Sequence, residues 1–145
     1  MRDAMGLYIM SAENKEITLR TDFSDEPCTV RADRQMVHTV LRNLVNNALK
    51  FSESGSEIRL VVKRSGSTVS AFVCDSGQGM TDAQIHSILH TDNLVTTRGT
   101  RGEKGSGLGL NICRELLVRN HSKLTLRSCP GQGTEAGFEM GYVNE

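Results

Sequence analysis

Three short blocks of the sequence combine amide, charged and glycine residues at spacings that are typical of binding sites. The first block is NLVNNALKF, residues 43–51. On a helix, Asn43, Asn47 and Lys50 would lie within about 60° of one another and opposite an apolar stripe. Amide oxygens can bind Mg²⁺ or its water molecules, and a lysine ammonium can contact a phosphate. The spacing also fits the solvated face of an ordinary surface helix, which is the favoured interpretation of this block alone.

The second block, DSGQGM at residues 75–80, directly follows an apolar stretch that is typical of a strand. Glycines at 77 and 79 would let the backbone approach a flat ligand closely. The Asp75 carboxylate could accept a hydrogen bond from an exocyclic amine such as that of adenine. A glycine-rich turn in which Asp75 bonds only to its own backbone accounts for the block equally well.

The third block, GTRGEKGSGLG at residues 99–109, runs directly into a helical pattern. Glycines that precede a helix expose amide donors, and the helix dipole favours an anion at that end. The order Lys104-Gly105-Ser106 excludes a Walker loop, and Leu110 excludes the dinucleotide-binding pattern. A flexible linker is the alternative, although glycines at alternate positions before a helix are more specific than a linker requires.

The elements that carry these blocks follow from hydrophobic periodicity. Asp33 fits an N-cap, and apolar residues at helical spacing predict a helix that continues to the turn at 52–56. A capping box predicts a helix from Thr81 to about residue 89, and a third is predicted from about 107 to 121. Strands are predicted at 16–21, 28–31, 57–64, 68–74, 123–128 and 134–142.

The order of these elements predicts the fold class. Strands come in pairs between helices and do not alternate strictly with them. That order is typical of an α+β fold and differs from a doubly wound nucleotide fold. We therefore expect a two-layer α/β sandwich, with a mixed, mostly antiparallel sheet of about five strands and about three helices on one face.

The composition excludes several classes of function. The chain has 145 residues, of which 17 are basic and 17 acidic, so it carries no formal net charge. A broad attraction to nucleic acid or to an anionic membrane is not expected, and an anion would need a local site. The four cysteines are scattered without a CxxC pair, which indicates reduced structural thiols rather than zinc ligands.

In this order and spacing, the three blocks resemble the N, G1 and G2 boxes of the GHKL ATPase superfamily, which includes gyrase, MutL-type repair proteins and histidine kinases. The 43–51 block, Gly-Ser-Gly-Leu-Gly-Leu at 105–110 and Ser-x-x-Gly-x-Gly-Thr at 128–134 resemble the catalytic domain of bacterial sensor histidine kinases in particular. The resemblance covers roughly residues 15–141. It implies the Bergerat (GHKL) fold, with ATP and Mg²⁺ as cofactors.

The resemblance also implies roles for residues of the first two blocks. Asn47 would bind Mg²⁺, Asn43 would assist at the metal or the phosphates, and Lys50 would contact phosphate. These three would be the catalytic residues. Phe51 would lie near the base or the sugar, and Asp75 would read the adenine. The adenine pocket would also include Gly77, Gly79 and Met80.

Further nucleotide contacts are implied for the third block and the C-terminal region. Thr134 would help to fix Asp75, usually through a water molecule. Residues 90–104 would form a lid over ATP, and the candidates for its terminal phosphate are Arg98, Arg101 and Lys104. The phosphate-binding loop would consist of Gly105, Ser106, Gly107, Leu108 and Gly109. Because residues 85–89 lack the phenylalanine of the family's F box, the anchoring of the lid stays open.

Position 43 indicates the type of reaction. By resemblance, gyrase-like members carry a glutamate there that activates water, whereas an amide cannot act as a general base. ATP would then be preserved for an imidazole that attacks the γ-phosphate in line. The resemblance implies transfer of the γ-phosphoryl group to a histidine on a separate helical dimerisation domain, in two-component signal transduction. The alternatives are a stand-alone GHKL serine kinase of the anti-sigma type and a non-catalytic nucleotide-sensing module.

No histidine of the sequence resembles the family's phosphoacceptor. All four lack its acidic neighbour and helical context: His38, His86, His90 and His121. We therefore expect residues 1–14 to be residual linker from a missing phosphoacceptor domain, and residues 15–145 to be the catalytic domain. The expected partners are the phosphoacceptor helices of the parent kinase and a response regulator, and not nucleic acid. The isolated domain is expected to be monomeric and cytoplasmic, within a dimeric parent whose anchoring in the inner membrane is left open.

Overall fold

The chain folds into helices and a mixed sheet, described by a computed structural model for residues 5–92, 96–103 and 107–143. The helices in these ranges are α1 (Met5–Asn14), α2 (Arg34–Phe51), α3 (Asp82–His90) and α4 (Gly109–Arg119). The strands are β1 (Thr18–Phe23), β2 (Glu57–Ser65), β3 (Thr68–Asp75), β4 (Thr125–Ser128) and β5 (Thr134–Gly141). The sheet order is β1-β2-β3-β5-β4, in which β1 and β2 are parallel and the other neighbours antiparallel.

Helices cover a face of the sheet because apolar residues alternate along the central strands. In β3, Val69, Ala71 and Val73 are buried, whereas the residues between them are partly exposed. Helix α2 packs on β2, β3 and β5, and its apolar face joins the same core. The predicted α+β sandwich with a five-stranded, mostly antiparallel sheet is therefore confirmed.

Helix α2 separates an apolar face from a polar one, as its periodicity predicts. Asp33 caps the helix, since its carboxylate accepts a hydrogen bond from the Met36 amide at 2.9 Å. Asn43, Asn47 and Lys50 are partly exposed. The buried face consists of Val40, Leu41, Leu44, Val45, Ala48 and Leu49. Burial of this face therefore leaves the polar residues of the first block accessible.

The prediction of a strand at 28–31 is wrong. Among the described residues, Val30 pairs there in an isolated bridge with Tyr142, and the Val143 amide donates to the Thr29 carbonyl. Among the described residues, the pairing of this segment is therefore a single bridge and not a strand ladder.

The start of one helix differs from its predicted position, and one helix was not predicted. Helix α4 begins at Gly109 and not at 107, because Gly107 has a φ of +72°, which lies outside the helical region. Residues 5–14, which the sequence predicts as linker, form α1, and Ala12 is buried in the core. Among the described residues, no helix combines the length and the apolar character that crossing a bilayer requires.

Candidate functional site

The three sequence blocks meet around a cavity of about 260 Å³. Helix α2, the loop at 75–80, α3 and the start of α4 contribute its walls. Its apolar floor comes from neighbouring strands, since Val73 pairs with Ala136, which in turn pairs with Leu126. The predicted site residues that line the cavity are Asn43, Asn47, Lys50, Phe51, Asp75, Gly79, Met80, Gly107, Gly109 and Thr134. The fold therefore brings most of the predicted residues into one site.

Asp75 lies at the end of β3, where backbone amides hold one of its carboxylate oxygens. Oδ1 accepts hydrogen bonds from the Gly77 amide at 2.9 Å and from the Thr134 amide at 3.2 Å. No donor from the described residues reaches Oδ2, which is left to accept a hydrogen bond from a ligand. Burial raises the pKa of this carboxyl above its usual value, and the two amide hydrogen bonds offset part of the rise. Oδ1 is thus structural, whereas Oδ2 remains available.

Ser128, at the end of β4, ties the 75–80 loop to β5. Its hydroxyl accepts a hydrogen bond from the Met80 amide at 2.8 Å and donates to the Gly133 carbonyl at 2.7 Å. The Thr134 hydroxyl lies 2.8 Å from the same oxygen and is the donor there, because Ser128 has a single proton to give. Thr134 therefore contacts Asp75 through its backbone amide, while its hydroxyl bonds to Ser128.

Gly77 and Gly79 are required because the loop that contains them runs directly against other backbone atoms. A Cβ at position 77 would lie 2.2 Å from the Phe51 carbonyl oxygen, and a Cβ at position 79 would lie 2.0 Å from the Cys129 carbonyl oxygen. Gly79 also has a φ of +68°. The loop is therefore pressed between the end of α2 and the 129–133 turn. Gly77 shapes the loop and does not itself line the cavity.

Gly79→Ala is expected to lower the free energy of unfolding by about 2–4 kcal/mol, because it combines the clash with an unfavourable φ. The matched control is Gly66→Ala in the β2–β3 turn, where φ is +58° and a Cβ would meet no atom within 4 Å. That change should cost only about 1 kcal/mol. Urea denaturation of both variants measures the difference. Equal losses would contradict the proposed clash.

The polar face of α2 presents amide oxygens to the cavity. Asn43 Nδ2 donates to the Thr39 carbonyl at 3.0 Å, whereas Oδ1 lies close to Gly109 and accepts no hydrogen bond from the described residues. Asn47 lines the cavity without a hydrogen bond to another described side chain. The Lys50 ammonium lies 4.8 Å from the centre of the Phe51 ring. Amide oxygens and an ammonium form a donor set that fits a hydrated Mg²⁺ beside phosphates.

Some predicted contacts lie away from the cavity or outside the described residues. Arg98 is exposed and Leu108 is 44% exposed, and neither is among the residues that line the described cavity. Lys104, Gly105 and Ser106 lie outside the described residues, so their roles stay predictions. Arg101 donates to the Asn14 carbonyl and the Ser54 hydroxyl, at the side of the domain where α1 ends.

Sequence reasoning missed several residues that line the cavity. The apolar floor had a signal, since Val73 lies two positions before Asp75 and shares its face of the strand. Gln84 is the second residue of the capping box predicted at Thr81, and it accepts a hydrogen bond from the Thr81 amide at 2.9 Å. Thr96 and Thr97 lie in a stretch without periodicity, which carried no signal of a lining role.

The segment 96–103 is anchored by polar contacts, without the phenylalanine of the F box. The Thr100 amide donates to the Lys50 carbonyl at 3.0 Å, and its hydroxyl donates to the Ser52 carbonyl at 2.9 Å. Lys15 and Glu103 form an ion pair at 2.8 Å between this segment and the residue that follows α1. The anchor is therefore the C-terminal end of α2.

The Lys15–Glu103 pair makes stability depend on pH. Partial burial opposes ionisation of Glu103, but hydrogen bonds from Lys15 and from backbone amides outweigh it and lower the pKa from 4.5 to about 2. A carboxyl whose pKa is depressed by folding stabilises the folded state above pH 4.5. This stabilisation is lost as the pH falls toward 2. Because the Glu103 side chain is 37% exposed, solvent screening reduces this contribution to about 1 kcal/mol.

Glu103→Gln is therefore expected to lower the free energy of unfolding by about 1 kcal/mol near pH 7, and by only about a quarter of that near pH 2.5. Urea denaturation of the variant and the wild type at both pH values provides the measurement. A difference of the same size at both pH values would show that the charge of Glu103 does not contribute.

The cavity combines features that suit a flat base and a polyanion. Its floor is apolar, and Asp75 offers one free carboxylate oxygen beside it. The wall formed by α2 carries amides and an ammonium, and glycines precede the N-terminus of α4, where the helix dipole favours an anion. Among the described residues that line the cavity, Asp75 is the only carboxylate.

Comparisons with known proteins agree with this geometry. Residues 32–143 match the family described as histidine kinase-, DNA gyrase B- and HSP90-like ATPase. The alginate biosynthesis sensor protein KinB of Pseudomonas aeruginosa is 32% identical over 133 residues, which are 92% of this chain and 22% of KinB. The chain thus spans about a fifth of the length of this relative.

Two solved structures share the fold. The catalytic domain of histidine kinase ThkA superposes with a TM-score of 0.80 at 25% identity, over 97% of this chain and 88% of that one. Full-length ShkA in complex with AMPPNP also superposes with a TM-score of 0.80 at 25% identity, over 99% of this chain and 29% of that one.

Proposed function

Because the chain belongs to the family of histidine kinase-, DNA gyrase B- and HSP90-like ATPases, we propose that it is the ATP-binding catalytic domain of a sensor histidine kinase. It binds Mg·ATP and transfers the γ-phosphoryl group to a histidine on a separate helical dimerisation domain. Its partners are the helices of that dimerisation domain and a response regulator. The parent protein is a dimer. The similarity to KinB and ThkA supports the choice of a kinase within this family.

The observation that carries the proposal is the position of the one carboxylate among the described residues that line the cavity. Asp75 lies at the base-binding end, where two backbone amides hold it. On α2, the position beside Gly109 carries the amide of Asn43, which cannot take a proton from water. The described site can therefore hold a nucleotide but offers no general base for hydrolysis, which preserves the γ-phosphoryl group for another nucleophile.

The chain's own residues then account for binding and orientation. Val73, Leu126 and Ala136 exclude water from one face of the base, and Asp75 Oδ2 accepts a hydrogen bond from its exocyclic amine. Asn47 would hold Mg²⁺, which when bound neutralises charge on the phosphates, and Asn43 would assist at the metal or the phosphates. Lys50 adds a positive charge on the same wall of the cavity.

The acceptor histidine is expected to come from another domain. Among the described residues that line the cavity there is no histidine. His86 and His90 lie on α3 with their rings against each other, 4.9 Å between centres. We therefore expect the nucleophile that attacks the γ-phosphate in line to approach from outside this chain.

The test is transfer in trans. The chain is mixed with [γ-³²P]ATP, Mg²⁺ and the separately purified helical dimerisation domain of the parent protein, and the chemical stability of the transferred label is measured. Label that is labile in acid and stable in alkali, and that is lost when the acceptor histidine is changed to glutamine, is the expected result. Acid-stable label on a serine would favour a serine kinase. ATP binding without transfer to any candidate would favour a nucleotide-sensing module.

A further inference from the structure

Lys15 is a buried cation at the point where α1 ends. It is 7% exposed, and its ammonium donates to the Leu49 carbonyl at 2.8 Å, the Lys50 carbonyl at 3.0 Å and Glu103 Oε1 at 2.8 Å. Three donors thus meet three acceptors. Burying an ammonium is unfavourable unless it is fully paired, so the arrangement persists only while all three acceptors stay together.

These acceptors belong to two segments that contribute other residues to the cavity lining, namely α2 and 96–103. The Leu49 and Lys50 carbonyls lie in the last turn of α2, where a helix leaves carbonyls without partners and favours a cation. Glu103 belongs to the segment 96–103, which precedes the glycines before α4. Cavity-lining residues on either side of this contact are Lys50, Thr96, Thr97, Gly107 and Gly109.

The turn at 99–103 rests directly on the end of α2. Glu103 Oε2 accepts a hydrogen bond from the Arg101 amide at 2.8 Å, and the Glu103 carbonyl accepts one from the Gly99 amide at 3.0 Å. A Cβ at Gly99 would lie 2.6 Å from the Lys50 carbonyl oxygen. Glu103 therefore organises the turn, and Lys15 attaches the organised turn to α2.

We propose that Lys15 is a positioning residue for the phosphate side of the nucleotide site, because it joins the end of α1, the last turn of α2 and the Glu103 turn through one ammonium. This inference rests on the proposed nucleotide-binding function. It also means that the position of α1 and the occupancy of the site depend on each other, since coupling between two sites is reciprocal.

The base and the phosphates of ATP are expected to be bound by different residues. Binding of the base is expected to depend on Asp75 and the strand residues of the cavity floor, and Lys15 makes no hydrogen bond to any of them in the structure. Binding of the phosphates is expected to depend on α2 and on the segment that leads to α4. Loss of Lys15 should therefore weaken binding of ATP more than binding of adenosine.

The experiment measures ATP and adenosine affinities of the 145-residue chain by calorimetry, with Mg²⁺ present. Lys15→Met is expected to weaken ATP binding about tenfold and adenosine binding less than about twofold. Glu103→Gln keeps the hydrogen-bond acceptor on a half-exposed side chain and so keeps the fold; it is expected to weaken ATP binding about threefold. The double variant should bind ATP as Lys15→Met does, within about twofold, because without the Lys15 ammonium the charge of Glu103 has no partner in this contact.

The matched control is Lys63→Met on β2, which breaks an exposed ion pair with Asp22 of β1, at 3.2 Å and away from the cavity. It should leave both affinities unchanged. Equal loss of ATP and adenosine affinity in Lys15→Met, unchanged ATP affinity in both single variants, or additive effects in the double variant would each overturn the positioning role. A wild-type chain that does not bind ATP would overturn the proposed function as well.

A second readout tests the reciprocal effect on α1. In the wild type, ATP is expected to slow amide hydrogen exchange at residues 15–17 as well as at 99–103. In Lys15→Met, slowing at 99–103 should persist at saturating ATP while slowing at 15–17 is lost. Identical exchange at 15–17 with and without ATP in the wild type would contradict the link to α1.

Discussion

Asp75→Asn is expected to weaken ATP binding by more than about 100-fold while leaving the fold intact. The structure makes this change unusually specific, because Oδ1 accepts both backbone hydrogen bonds and Oδ2 accepts none from the described residues. An asparagine oxygen can keep the two amide contacts. Its NH₂ group then stands where Oδ2 was, and it meets the adenine amine donor to donor.

The stability of Asp75→Asn should be unchanged or higher by up to about 1 kcal/mol, since burial disfavours the ionised carboxyl that the substitution removes. Calorimetry with ATP and GTP measures binding, and urea denaturation measures folding. Guanine presents a carbonyl where adenine has its amine, so the preference for ATP over GTP should fall as well.

The control for Asp75→Asn is Asp25→Asn, an equally isosteric change at an exposed position of the loop after β1. It should alter neither ATP affinity nor stability. If Asp75→Asn bound ATP as the wild type does, Oδ2 would have no part in reading the base. A large loss of stability would instead show that the carboxylate is needed to hold the loop.

The second large effect is expected from Asn47→Ala. Its side chain lines the cavity on the polar face of α2 without a partner among the described side chains, so its removal should disturb a ligand more than the fold. Phosphoryl transfer to the dimerisation domain is expected to fall by more than about 100-fold, because transfer depends on the placement of metal and phosphates. Adenosine affinity should not change.

Gln35→Ala is the matched control for Asn47→Ala, since it removes an exposed amide from the first turn of the same helix. It lies about 18 Å along the helix axis from Asn47. Single-turnover transfer at saturating Mg·ATP is the measurement. Transfer by Asn47→Ala within about threefold of the wild type would contradict the assigned role of this amide.

Local features of the chain were predictable because they depend on residues that are close in sequence. The polar and apolar faces of α2, its Asp33 cap and the Thr81–Gln84 capping box all follow from spacings within a few turns of helix. The alternation of buried and partly exposed residues along β3 also depends on neighbours in the sequence. Asp75 followed by glycines could therefore be placed at a strand end before the structure was known.

Contacts between distant segments decided the rest. Ser128 has no local signal of its role, which arises because β4 pairs with β5 and places its hydroxyl against Met80 and Thr134. Arg101 has the charge expected of a phosphate ligand. Its guanidinium nevertheless donates to the Asn14 carbonyl and the Ser54 hydroxyl, at the side of the domain where α1 ends. The strand predicted at 28–31 pairs with the described residues through a single bridge between Val30 and Tyr142, which local sequence could not reveal.

The sequence by itself determined that two amides and a lysine would share one face of a helix and that an aspartate followed by glycines would end a strand, because those properties belong to residue types and to helical and strand periodicity; their roles at a nucleotide were implied by the family resemblance. Only the tertiary structure decided that Lys15 would hold Glu103 against the end of α2. Lys15 and Glu103 are 88 residues apart. A lysine in a polar stretch is usually exposed, and it became a buried link here because packing of α1 against α2 brings three acceptors within reach of one ammonium.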